Sequence, residues 1–165
     1  MKKYIPLGLV FILILIIIVP FMLLHYNYTW QYSADYASYA NDFNHVAAYI
    51  QSQYPDETDK YLRISYSADY SHRLYDPDND TYLQLPSDVI VSLNSICTNG
   101  FPNPNGHPDV IRIHSGRISF CIPNGQYALV FSPDSKPSWV NLPDEDCDIK
   151  VKSIGDGWYH VAIVS

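Results

Sequence analysis

The chain begins with a long apolar run, Ile5 to Leu24, which follows Lys2, Lys3 and Tyr4, contains no charge and is interrupted by Pro6, Gly8 and Pro20. As a helix, such a run is roughly 30 Å long, about the hydrocarbon thickness of a bilayer, and its Leu, Ile, Val and Phe residues favour insertion. The lysines precede it, and no acidic residue appears before Asp35. The positive-inside rule therefore puts the N-terminus in the cytoplasm and everything after His25 outside. Tyr26, Tyr28, Trp30 and Tyr32 then read as an aromatic belt at the outer interface. The flank His25 to Trp30 lacks the small residues of a cleavage site, so the expectation is an uncleaved, single-pass signal-anchor over residues 1–24 rather than a removed signal peptide.

From residue 25 the pattern changes. Tyr36, Tyr39, Phe43, Val46 and Ile50 recur at alternating intervals of three and four, one stripe of an amphipathic helix that continues from the membrane and occupies much of residues 25–55. Pro55 ends it, because the residue before a proline disfavours helical geometry. The stripe can pack on the domain's own sheet, or zip through Tyr36, Phe43 and Ile50 against a second copy.

Residues 56–165 switch to a period of two. Tyr61 to Ser67 alternates as a strand, and Arg73-Leu74-Tyr75 begins another. Ser87 to Cys97 suits a short helix with Ser87 as N-cap, Asp88 in its first turn and Asn99-Gly100 at its close, although Val89, Val91 and Leu93 also alternate. A turn at Ser115-Gly116 sets Ile113 opposite Ile118 and Ile111 opposite Phe120. A turn at Asn124-Gly125 sets Ile122 opposite Tyr127, Phe120 opposite Leu129 and Ile118 opposite Phe131. Both registers turn the same side of the middle strand inward, an agreement that a one-residue slip in either would destroy. A three-residue turn at Gly155-Asp156-Gly157 likewise opposes Val151 with Val161, Ile149 with Ile163 and Ser153 with Tyr159. The expected fold is α+β: an N-terminal transmembrane helix running into an amphipathic helix that packs on an antiparallel sheet of about five to seven strands.

Charge narrows the function. All seventeen acidic residues lie beyond the apolar run against eight of the ten basic ones, a net of −9, which argues against nucleic acid and anionic lipid as partners. Three cysteines, Cys97, Cys121 and Cys147, fall on the extracytoplasmic side, where Cys97–Cys121 or Cys121–Cys147 is a possible disulfide. No Cys-x-x-Cys is present, and Asp76-Pro77-Asp78-Asn79-Asp80 imitates half a calcium loop but has Thr81 where the turn glycine belongs. Neither a metal nor a cofactor is expected. Asn27-Tyr28-Thr29 and Asn79-Asp80-Thr81 match the glycosylation pattern.

The outward side of the meander carries Arg112, His114, Arg117, Ser119 and Cys121. In so acidic a domain, Arg112, His114 and Arg117 are the candidate binding residues, the two guanidiniums offering forked donors to an anionic group or an envelope protein partner. No Gly-x-Ser-x-Gly elbow is present, and Cys121 and His114 lie far apart along their hairpin, so no catalytic residue is assigned. A hydrolase using carboxylates from the acidic loops is the enzymatic alternative. Trp139 and Trp158 suit either a core or a ligand platform.

An apolar N-terminal helix leading into an amphipathic helix and an antiparallel sheet is similar in layout to type IV pilins and pseudopilins. In that comparison Gly8 stands for the leader glycine, while Leu13 occupies the place of the family's glutamate. The resemblance implies a processed subunit that assembles through its N-terminal helix. The residues themselves lead to a single-pass extracytoplasmic module of the cell envelope with a binding or structural role.

Overall fold

The computed structural model describes residues 16–20, 33–66, 71–101, 108–122, 127–134, 136–137 and 148–164. The chain divides into two compact units, Met1–Gln31 and Tyr32–Ser165. In the first, residues 16–20 are helical, with Ile16 and Ile17 exposed. No helix among the described residues is long and apolar enough to cross a membrane. The rest of the apolar run, the aromatic belt and Asn27 lie outside the described residues, as do the Asn124-Gly125 turn, Trp139 and Cys147.

The second unit runs α1 (Tyr36–Gln53), β1 (Asp59–Tyr66), β2 (His72–Asp76), β3 (Thr81–Tyr82), α2 (Ser87–Ser95) with a π-helical turn at Ile96–Gly100, then β4 (Val110–His114), β5 (Arg117–Cys121), β6 (Tyr127–Phe131), β7 (Asp148–Gly155) and β8 (Trp158–Val164). The strands form one antiparallel sheet in the order β3-β2-β1-β4-β5-β6-β8-β7. The expected α+β class holds, with eight strands rather than five to seven. The excess is physical: β3 has two residues, too few to alternate.

Both meander registers and the C-terminal register are those expected. Ile113 pairs with Ile118, Ile111 with Phe120, Phe120 with Leu129 and Val151 with Val161. Ser115 and Gly116 both have positive φ, 48° and 77°, the requirement of a two-residue turn whose twist matches its strands. At the C-terminal hairpin the tip is Asp156-Gly157, and the extra residue enters as a bulge between Ser153 and Gly155.

One face of the sheet takes the helices. Leu62, Leu74, Ile111, Ile118, Phe120, Leu129 and Trp158 alternate inward and are fully buried. The α1 stripe meets them: Phe43 lies 5.3 Å from Phe120 and 5.8 Å from Trp158 between ring centroids, and the Trp158 indole donates to Asn44 Oδ1 at 2.8 Å. The stripe packs inside its own domain, with Phe43, Val46 and Ile50 fully buried. Trp158 is therefore core and not a ligand platform.

Two boundaries depart from expectation. Helix α1 does not continue an earlier helix through residue 35, because residues 33–35 are non-helical and Asp35 caps the start, accepting from the Ser38 amide at 3.2 Å. This start is also pinned from outside: the Ala34 amide donates to Tyr127 Oη at 2.9 Å, and the Asp35 amide to the Gly100 carbonyl at 2.7 Å. The Tyr127 hydroxyl in turn bonds His160 Nδ1 inside the core. At α2 the N-cap is Pro86, with no side-chain cap, and Ser87 is the first helical residue. The helix prevails over the alternating pattern there, leaving Val91 exposed.

A buried charge closes the β1–β2 end. Lys60 Nζ lies 3.0 Å from Asp76 Oδ1 and 3.0 Å from Asp78 Oδ2, and Asn79 Nδ2 donates to Asp76 Oδ2 at 2.8 Å. The half calcium loop thus closes on an internal ammonium. Burial works against the Lys60 charge, but its hydrogen bonds to Asp76 and Asp78 outweigh burial and raise its pKa. Burial likewise opposes the Asp76 charge, and bonds from Asn79 and Lys60 overcome it and lower its pKa. Removing one partner leaves the other charge buried, so Asp76→Asn is expected to lower unfolding free energy by about 3 kcal/mol in denaturant titrations.

His160 supplies a separate pH dependence. Burial first, and then Lys152 opposite it, lowers its pKa from 6.5 to about 4. The neutral form is favoured in the fold, so this contribution is complete above pH 6.5 and is lost as pH falls towards about 4. Asp76 acts lower, from its unfolded value of 3.8 downward, and Lys60 at the alkaline end, above 10.5. Urea midpoints are expected to decline between pH 6.5 and 4, and His160→Gln to flatten that decline.

Candidate functional site

The inward demand of Ile111, Ile113, Ile118 and Phe120 fixes what the other side of β4 and β5 presents. Arg112, His114 and Arg117 all lie on the outer face, where Arg112 pairs with Ser119 and His114 with Arg117. Strand β1 adds Asp59 opposite His114 and Tyr61 opposite Arg112. The three expected residues are therefore brought together at one corner. Asp59 Oδ1 lies 3.6 Å from Arg112 Nε and 3.8 Å from His114 Nδ1, a single carboxylate shared between them. These groups are a third to a half exposed, and such pairs hold weakly, at ~0–1 kcal/mol, so a ligand carboxylate or phosphate can compete with Asp59.

The neighbouring strands extend the corner. On the same face Arg63 sits opposite Tyr75 and Val110, Arg73 opposite Ser65, and Tyr75 opposite Tyr82. Arg63 and Arg73 were not among the sequence candidates, because the adjacency of β1 to β4 is non-local. The alternation of each strand could have assigned their side, but not their neighbours. Beyond β5 the outer face turns apolar, with Ala128, Val130 and Val161 buried and Cys121, Ile149, Val151 and Tyr159 packed against them.

A second constellation joins the helices. His45 on α1 lies between two α2 residues one turn apart, with Nδ1 3.2 Å from Ser92 Oγ and Nε2 3.4 Å from Asp88 Oδ2. Ser95 Oγ donates to Asp42 Oδ2 at 2.6 Å beside it. The order Ser, His, Asp is that of an activated nucleophile. Yet Ser92 is 6% exposed and sits inside a helix, where neighbouring amides are already committed and cannot form an oxyanion hole. The set acts as a polar seam holding α1 to α2, and sequence spacing could not reveal it because its members come from two elements.

Among the described residues, a cleft of about 230 Å³ lies between the end of α1 and the β4–β5 turn, lined by Gln51, Tyr54, Pro55, Ile113, Gly116 and Ile118. It is smaller than an ordinary ligand pocket and carries no converging ionisable set. No cluster of metal-ligating side chains occurs among the described residues.

Cys147 lies outside the described residues, and Cys97, in the π-helical turn, and Cys121, on β5, are free thiols. Burial pushes both up to about 12, which leaves little thiolate near neutral pH. Both are expected to resist iodoacetamide at pH 8 in the folded protein and to alkylate promptly in urea, as read by mass spectrometry. No family model, curated protein or solved structure matches this chain.

Proposed function

We propose that this chain is a single-pass envelope protein whose extracytoplasmic domain captures a partner on the outer face of its sheet. The cytoplasmic N-terminus and the spanning helix follow from Lys2, Lys3 and the apolar run Ile5 to Leu24. In this reading the first unit holds the chain in the membrane, and the second offers a recognition surface outside it.

The observation that carries the binding role is the convergence of Arg112, His114 and Arg117 beside Tyr61 on the face opposite the one that receives α1 and α2. Guanidinium forks recognise carboxylate and phosphate bidentately, and arginine and tyrosine are enriched where proteins bind one another. The described cleft and the His45 seam supply no comparable catalytic geometry, so binding is favoured over hydrolysis.

Crosslinking in native membranes tests this. Arg112→Ala with Arg117→Ala is expected to leave far-UV circular dichroism unchanged and to weaken capture of the crosslinked partner at least tenfold, since each fork contributes on the order of 1.5–3 kcal/mol. Undiminished capture would refute the assignment. For the anchor, the chain is expected to stay in the pellet after alkaline extraction, with an intact Met1-to-Leu24 segment by mass spectrometry.

A further inference from the structure

The chain has four arginines, Arg63, Arg73, Arg112 and Arg117, and the sheet register puts all four on the outer face. The lysines of the strands, Lys60, Lys150 and Lys152, lie on the opposite face, opposite Ile113, Ala162 and His160 respectively. Solvation alone explains why charged side chains leave the core side; it does not separate arginine from lysine. What separates them chemically is the planar fork of the guanidinium, which binds carboxylate and phosphate in two parallel hydrogen bonds.

Tyrosines are set among the arginines. Tyr61 is 41% exposed and Tyr82 50%, and the Tyr75 ring lies tilted against that of Tyr82, with centroids 5.2 Å apart. Among the described residues this face receives Asp59 from β1 and Asp80 from the β2–β3 turn, which accepts from the Tyr75 hydroxyl at 2.5 Å, while Asp76 turns inward to Lys60. The band from β3 to β5 is therefore basic and aromatic on a domain that is otherwise strongly acidic.

We propose that this whole band, and not only its Arg112–Arg117 corner, is a docking surface, and that its occupant is an acidic, extended segment of a partner protein. The inference rests on the binding role proposed above and names its partner class. Five strands at a spacing of about 4.8 Å span roughly 19 Å, the length of an extended segment of about six residues. Arginine forks spaced across that span suit carboxylates carried on such a segment, and tyrosine rings cover the stretches between them. A long polyanion is disfavoured by charge: its continuation past the face would meet the net −9 of the domain, whereas a short acidic segment ends within the band.

The full-length protein in neutral detergent micelles, titrated against a short fluorescein-labelled peptide of alternating glutamate and glycine, provides the test by fluorescence anisotropy. Binding is expected for this peptide and absent for its lysine–glycine counterpart. Arg63→Lys with Arg73→Lys keeps the charge and removes the forks, and is expected to weaken binding about tenfold, as is Arg112→Lys with Arg117→Lys. Unchanged thermal unfolding of both variants shows that the loss is not one of folding. Wild-type affinity in the Arg63/Arg73 variant, with loss in the Arg112/Arg117 variant, would overturn the extended band and leave the corner reading standing. No binding of the glutamate peptide by the wild-type protein would overturn the acidic-segment assignment, while the membrane crosslinking still judges the corner by itself. Inorganic polyphosphate binding as tightly as the peptide would overturn the choice of a protein segment.

Discussion

The packing of Phe43 against Trp158 and Phe120 is the contact on which the rest of the second unit depends. The three rings are fully buried, and they join the first helix to strands from the middle and the end of the chain. Buried aromatic side chains bring the largest apolar area to a core, and pairs in tilted or edge-on arrangements add to it. The indole N–H, which would be costly to bury unpaired, is satisfied by Asn44, one residue along α1 from Phe43. Position along the helix and register along β8 are thereby fixed together.

A fixed inner face leaves no freedom on the outer one. In a strand the side chains alternate, so choosing Ile111, Ile118, Phe120 and Leu129 for the core also chooses Arg112, Arg117 and Ser119 for the far side. The charged groups kept on the helix side are neutralised or turned towards solvent: Lys60 closes on Asp76 and Asp78, while Lys150 and Lys152 stand exposed on an edge strand. The surface proposed to bind is in this sense the complement of the core, and the chemistry it offers is decided by packing on the opposite side.

Local patterns in the sequence carried the hairpins and the α1 stripe because each rests on neighbours within a few residues. Ser115-Gly116 with flanking isoleucines fixes a register by itself, and Pro55 closes a helix that ends at Gln53. Non-local choices were not legible. Nothing in the alternation of Trp158 to Val164 states that β8 inserts between β6 and β7, or that β1 lies beside β4. Hence the Arg112, His114 and Arg117 corner could be read from one hairpin, whereas Arg63 and Arg73 joined it only through the β1–β4 pairing. The capped start of α1 was missed for a similar reason. The stripe is continuous in period, but Asp35 and its distant partner Gly100 stop the helix there. Lys60 is the converse case: a charge in a strand reads as exposed until the turn that neutralises it is folded beside it.

The central claim is that one register places every arginine on the same face. Cross-strand nuclear Overhauser contacts in the isotopically labelled full-length protein test it most directly. The account predicts that Arg63 contacts Tyr75 on one side and Val110 on the other, and that Arg112 contacts Tyr61 and Ser119. Contacts of Arg63 to Asp76 and Ile111 in their place would mean a slip of β1 by one residue, which would break up the arginine face and contradict the account.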